Sequence, residues 1–264
     1  MKDLTFEEIQ QELLALLEVF DRFTREHGLR YSLDSGTLLG AVRHKGFIPW
    51  DDDLDLIMPR PDFERFVELS AELPEGYALR YVETDGTTFP YGKLINTRIE
   101  VHEGRWNDRR RYLWIDIFPV DGMSLDESEN QRDYEASLKL QDYRRFQTYP
   151  ARTWTQNLIK RPIRFVMNRY RPAEETVRAI TALATKRPFE GSLWCRDLVC
   201  ANNPAARLRT ADFDDLVMLD FEGGSFPAVP HWDEYLTSQY GDYMQLPPED
   251  QRVSHRLRAW YVDD

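Results

Sequence analysis

Asp51, Asp52, Asp53 and Asp55 crowd into one short stretch, and their spacing is the chain's plainest chemical signal. From Asp53 to Met58 carboxylates and aliphatics alternate, so on a strand of period two Asp51, Asp53 and Asp55 share one face while Leu54 and Leu56 share the other. Carboxylates brought together on a desolvated face repel by several kcal/mol, which calls for a cation between them. A divalent ion with oxygen ligands fits. Mg²⁺, with Mn²⁺ as an alternative, takes one or two carboxylates and completes its shell with water and phosphate oxygens. A calcium loop is excluded. Asp51, Asp53, Asp55 and Asp62 hold positions 1, 3, 5 and 12, but position 6 is Leu56 and position 12 lacks the bidentate Glu. A merely exposed acidic edge is set aside because the apolar neighbours pin the strand into a core.

Upstream, Ser35, Gly36 and Thr37 join an expected strand at 29–33 to an expected helix at 37–44, where free backbone N–H groups and the helix dipole favour an anion. Arg43, His44 and Lys45 follow within two turns and add positive charge. A Ser-Gly turn by itself only turns the chain. Set before a metal-binding strand, it reads as a phosphate cradle facing its cation.

The elements that position these groups follow from periodicity. Thr5 to Glu8 fits a capping box, and apolar residues recur at helical spacing up to Gly28, so residues 5–27 form one amphipathic helix. A helix is expected at 62–73. Strands are expected near 77–83, 93–102 and 112–120, the last with Trp114, Asp116 and Phe118 on one face. Helical spacing then covers 127–149, 154–170 and 173–186. These readings give an α/β (α+β) chain with a mixed sheet: a catalytic core over 1–125 and a mainly helical extension over 126–264, packed as one unit.

Lys and Arg number 34 against 46 Asp and Glu, a net charge of −12, which argues against nonspecific nucleic-acid binding. Cys195 and Cys200, expected on one helix, are too few for a disulfide framework or a zinc knuckle, so a reducing compartment is expected. The start runs straight into charged residues and no stretch approaches a bilayer span, so a cytoplasmic location is expected.

LDSGTLLGAVRHKGFIPWDDDLDLIM at 33–58 resembles the signature block of the LicD family. WIDIFPVDGM at 114–123 and DEYLTSQYGDYMQLPPEDQR at 233–252 resemble further family blocks. Members transfer phosphocholine and related phosphoalcohols from CDP-activated donors to sugar hydroxyls of cell-surface glycans, resemble fukutin-related ribitol-phosphate transferases, and have the polymerase-β-type nucleotidyltransferase fold. The resemblance implies a donor-phosphate turn at Ser35 and Gly36 and a metal pair at Asp53 and Asp55. Asp116 corresponds to the fold's third carboxylate. Position 35 is Ser here, where related sequences often have Gly.

On that basis Mg²⁺ held by Asp53, Asp55 and Asp116 bridges the diphosphate of a CDP-alcohol such as CDP-choline, and a glycan or lipid-linked sugar is the acceptor. Asp116, then Asp51, is the candidate to accept the hydroxyl proton. A nucleotidyltransferase that releases pyrophosphate, or an inactive glycan- or nucleotide-binding scaffold, remain as alternatives. Lys93 and Arg98, near Tyr91, are candidate phosphate or sugar contacts. His44 and His255 have no partners at metal-ligand spacing. Trp50, Trp106, Tyr112 and Trp114 are available as a cage for a quaternary ammonium. The segment 152–171 carries Lys160, Arg161, Arg164 and Arg169 without an acidic residue. It reads either as a contact with the inner face of the cell membrane or as a helix packed by its apolar stripe with a solvated basic face.

Overall fold

In the computed structural model, residues 3–102, 111–149, 154–200, 203, 205–252, 254 and 257–262 are described. Helix α1 (Phe6–His27) opens the chain on the expected capping box: Thr5 Oγ1 accepts from the Glu8 N–H, and Glu8 accepts from the Thr5 N–H. Gly28, at φ +66°, ends it in the left-handed conformation. Ile9, Leu13, Leu16, Leu17, Phe20 and Phe23 are all buried. Burial of each such side chain stabilises by roughly 1.5–3 kcal/mol.

There follow β1 (Ser32–Leu33), α2 (Ser35–Arg43), β2 (Asp55–Pro59), α3 (Arg60–Leu69), β3 (Tyr77–Arg80), α4 (Val82–Asp85), β4 (Gly92–His102) and β5 (Arg111–Gly122). The second half comprises α5 (Glu127–Thr148), α6 (Trp154–Tyr170), α7 (Ala173–Ala184), β6 (Trp194–Arg196), β7 (Leu208–Arg209), β8 (Val217–Phe221), β9 (Gly224–Ala228), α8 (Trp232–Tyr240) and β10 (Arg258–Tyr261). The main sheet runs β1-β2-β5-β4-β10, with β3 also on β4 and β6 joining β5 to β7, while β8 and β9 form a separate hairpin. Strands β2 and β5 are parallel, and the other pairs are antiparallel, so the sheet is mixed. Pairing of β6 with β5 and of β10 with β4 ties the residues after 125 into the core sheet.

Three expectations are corrected. The acidic strand begins at Asp55, not Asp51: its pairing with β5 starts at Asp55↔Asp116, and a turn at Pro49 and Trp50 precedes the carboxylates. The strand expected at 77–83 stops at Arg80, and α4 follows at Val82. Cys195 lies on β6 and Cys200 in a bend, not on one helix, and both thiols are free. Among the described residues no helix is long and apolar enough to cross a membrane.

Candidate active site

Strand β2 places Asp55 directly beside Asp116 of β5, in parallel register. The Asp116 N–H donates to the Leu54 carbonyl at 2.9 Å, and the Asp34 N–H donates to the Asp55 carbonyl at 3.0 Å. On β5, Leu113, Ile115 and Ile117 are buried, which leaves Trp114 and Asp116 together on the opposite face. Asp51 and Asp53 lie just before β2, near enough for their charges to act on Asp55. Burial, then the charges of Asp53, Asp116, Asp34 and Asp51, push the Asp55 carboxyl well above the usual range. Asp52 is turned elsewhere: it is buried, and its carboxylate accepts the Leu257 N–H at 3.2 Å.

Burial also raises the Asp116 carboxyl, against the opposing pull of Lys93 and Trp114. Lys93 Nζ donates to Asp116 Oδ1 at 2.5 Å, and Trp114 Nε1 donates to Oδ2 at 3.0 Å. The same ammonium lies 4.3 Å from the Trp114 ring centre, 5.0 Å from Phe89 and 5.4 Å from Tyr91. One face of Trp50 likewise holds the Arg252 guanidinium, at 5.0 Å. Two rings of the expected ammonium cage thus already face the protein's own cations. Tyr112 lines a pocket with Trp114 and Lys93, and Trp106 lies outside the described residues.

The Ser35 turn is tight. Ser35 itself has φ +47°, a conformation that costs a residue with a Cβ about 1–2 kcal/mol and that Gly adopts freely. A Cβ on Gly36 would sit 2.7 Å from Asp51 Oδ2, so a larger residue here would push the Asp51 carboxylate away from the turn. Ser35 Oγ donates to Asp34 Oδ2 at 3.0 Å. Thr37 is buried, and its Oγ1 accepts the Asp55 N–H at 2.9 Å, which makes it a clamp between α2 and β2.

Asp34, Ser35 and Asp55 line a cleft whose far wall comes from the second half of the chain, including Arg196, Asp197, Arg207 and Tyr235. Arg196 is buried, its Nε has no hydrogen-bond partner, and desolvation lowers its pKa. Asp197, half-buried, accepts the Cys200 N–H at 2.9 Å, and desolvation pushes its pKa up to about 7. The Tyr235 hydroxyl donates to Asp34 Oδ1 at 2.7 Å.

The structure therefore brings Asp51, Asp53, Asp55, Asp116, Ser35, Gly36, Thr37 and Lys93 to one place. Arg43 and Lys45 do not line the cleft. Arg43 donates to the Tyr243 carbonyl at 2.7 Å and to His44 Nε2 at 2.9 Å. Lys45 is exposed at φ +60°, and its carbonyl accepts the Glu222 N–H. Arg98 donates to the Glu75 carbonyl at 2.7 Å, and His255 lies outside the described residues. Sequence reasoning missed Arg196, Asp197 and Arg207, which sit in a stretch without a motif; Tyr235 falls inside the block at 233–252.

Among the described residues no three His, Cys, Asp or Glu side chains form a ready-made metal cage. The donor set at Asp55 and Asp116 nevertheless fits Mg²⁺ or Mn²⁺. It is all hard carboxylate oxygen, it carries a like-charge repulsion that a cation relieves, and Mg²⁺ needs few protein ligands.

A family model described as LicD/FKTN/FKRP, nucleotidyltransferase domain, matches residues 28–170. The lipopolysaccharide cholinephosphotransferase LicD of Haemophilus influenzae is 29% identical over 272 residues, covering 99% of this chain and 100% of that protein. An uncharacterized protein of Rickettsia typhi is 36% identical over 70 residues, 26% of this chain and 23% of its own length.

Proposed function

The chain belongs to the LicD family, and from that premise we propose that it transfers a phosphoalcohol, phosphocholine first among them, from a CDP-activated donor to a sugar hydroxyl of a cell-surface glycan. The observation that carries this reading is the pairing of Asp55 with Asp116 beneath a cleft whose opposite wall bears Arg196 and Arg207. Carboxylates on one side of a cleft and arginine residues lining the other are the charge pattern that a metal-bound diphosphate requires.

Asp55 and Asp116, with Asp53 beside them, would hold Mg²⁺ or Mn²⁺, which supplies charge neutralisation for the leaving phosphate. Arg196, buried with an unpaired Nε, binds the donor phosphates. Ser35 and Gly36 bring backbone against them. Lys93 and Trp114 fix the orientation of Asp116. With Asp116 engaged by Lys93, Trp114 and the metal it would hold, we assign the acceptor's proton to Asp197, which lines the cleft and whose pKa is pushed up to about 7. In the transfer the sugar oxygen forms a bond to the phosphorus of the phosphoalcohol. The bond from that phosphorus to CMP breaks, CMP leaves with the electron pair, and the hydroxyl proton passes to Asp197.

The test is product analysis with Mg²⁺, a glycan acceptor and either CDP-choline or a nucleoside triphosphate. CMP release with phosphocholine on the glycan is expected. Pyrophosphate release from a triphosphate would move the reading to nucleotidyl transfer. Nucleotide binding without turnover of any CDP-alcohol would leave a scaffold.

A further inference from the structure

Helix α6 turns its apolar side outward. Leu158, Ile163, Phe165, Val166 and Tyr170 are 56%, 47%, 75%, 51% and 85% exposed. Among the described side chains of the helix, the half-buried ones are instead Lys160, Arg164, Met167 and Asn168. At about 100° per residue, the exposed apolar residues and Pro162 fall within an arc of roughly 160°. Docking onto α5 runs through the polar side. Lys160 Nζ lies 5.4 Å from the Phe146 ring centre, and Gln147 Nε2 donates to Asn168 Oδ1 at 3.1 Å. A helix held to its domain by its apolar stripe, with a solvated basic face, is therefore not what this segment forms.

What covers the apolar arc follows from charge. Lys160, Arg161, Arg164 and Arg169 are accompanied by no Asp or Glu between 154 and 170, in a chain of net charge −12. A second copy apposed through α6 would set the exposed Arg161 and Arg169 against their equivalents and desolvate like charge. An anionic lipid surface offers acyl chains to the arc and phosphates to the guanidinium groups, and Arg side chains are long enough to reach headgroups from an inserted helix. We propose that α6 lies in the interface of an anionic bilayer, with Leu158, Pro162, Phe165 and Val166 among the acyl chains and Arg161 and Arg169 on lipid phosphates. This docking requires no assumption about the donor or the reaction.

The experiment is cosedimentation of the full chain at low salt with vesicles of phosphatidylglycerol and phosphatidylethanolamine, against vesicles of phosphatidylcholine alone. Pelleting with the anionic vesicles, weakened severalfold by raised salt, is expected. The variant Leu158→Ser, Phe165→Ser, Val166→Ser changes only exposed side chains, so it should keep the wild-type melting temperature and lose vesicle binding by at least tenfold. Arg161→Glu with Arg169→Glu should lose preference for anionic lipid. Wild-type protein that stays in the supernatant with anionic vesicles overturns the proposal. So does a triple-Ser variant that pellets as well as wild type, or a dimer that the triple-Ser change dissociates without any lipid binding.

Discussion

Lys93 and Asp116 are register partners across β4 and β5, and the Lys93 ammonium is shared between the Asp116 carboxylate and three aromatic rings. The rings hold the cation by their faces, and the cation holds the carboxylate. Lys93→Met should therefore lower kcat by about 10–100-fold, the range for a residue that orients a metal ligand, with a smaller change in the donor KM. Lys93→Arg, which keeps a cation over the rings, should retain more activity. Steady-state kinetics on the three proteins decide it, and an unchanged kcat in Lys93→Met would remove the positioning role.

Asp55→Asn separates activity from stability. A carboxyl with a raised folded pKa loses native-state stability as pH climbs past its unfolded value of about 4, because ionisation is then more costly in the folded chain. At pH 7 without metal, Asn should accordingly raise the melting temperature while transfer falls at least 10²-fold. Saturating Mg²⁺ should raise the wild-type midpoint and leave that of the variant in place. Thermal melts in EDTA and in Mg²⁺ read both effects, and removal of metal by EDTA should abolish wild-type turnover.

Arg196→Met tests the guanidinium wall. A charge-assisted hydrogen bond contributes about 1.5–3 kcal/mol, so the donor KM should rise about 10–100-fold. Within the protein the variant would lose the 3.3 Å hydrogen bond from Nη2 to the Asn203 carbonyl and the contact of its guanidinium with the Tyr134 ring at 5.0 Å, so the melting temperature should fall by a few degrees at most. A Kd for CDP-choline that does not move in titration calorimetry would exclude Arg196 from the donor site.

The near wall of this cleft was legible in the sequence and the far wall was not, for a physical reason. Asp55, Asp116 and the Ser35 turn announce themselves through local spacing: alternation on a strand, and small residues at a strand-to-helix join. Arg196 and Asp197 reach the site only because β6 pairs with β5 across Asp121↔Arg196, a long-range register that no local pattern encodes. Arg43 and Lys45 illustrate the converse. Their proximity in sequence to the turn suggests phosphate contacts, yet helix geometry carries Arg43 to the Tyr243 carbonyl and leaves Lys45 exposed. The strand start shifted from Asp51 to Asp55 because a strand extends only where a neighbour pairs with it, and the pairing with β5 starts at Asp55↔Asp116.

Asp197 gives a pH signature. A general base works only when deprotonated, so with a pKa pushed up to about 7 the kcat/KM should climb through that pH and level off above it. Asp197→Asn should flatten this limb and cost about 10²–10⁴-fold in rate. The profile needs Mg²⁺ saturation at each pH. A wild-type limb that persists unchanged in the Asn variant would assign the base elsewhere, with Asp116 next.

The buried pair Arg60 and Asp121 couples stability to the site. Arg60 Nε and Nη2 donate to Asp121 Oδ1 and Oδ2 at 2.8 and 2.7 Å, and both residues are buried. Removal of one partner leaves an uncompensated buried charge, so Arg60→Met alone should destabilise by about 3–5 kcal/mol. Arg60→Met with Asp121→Leu removes both charges and should recover most of that loss, which a urea titration of the two variants checks. Because Asp121 is also the register partner of Arg196, the double variant should still show a raised donor KM at temperatures where it is fully folded. A double variant with wild-type KM would show that β6 holds Arg196 in place without help from the pair beneath it.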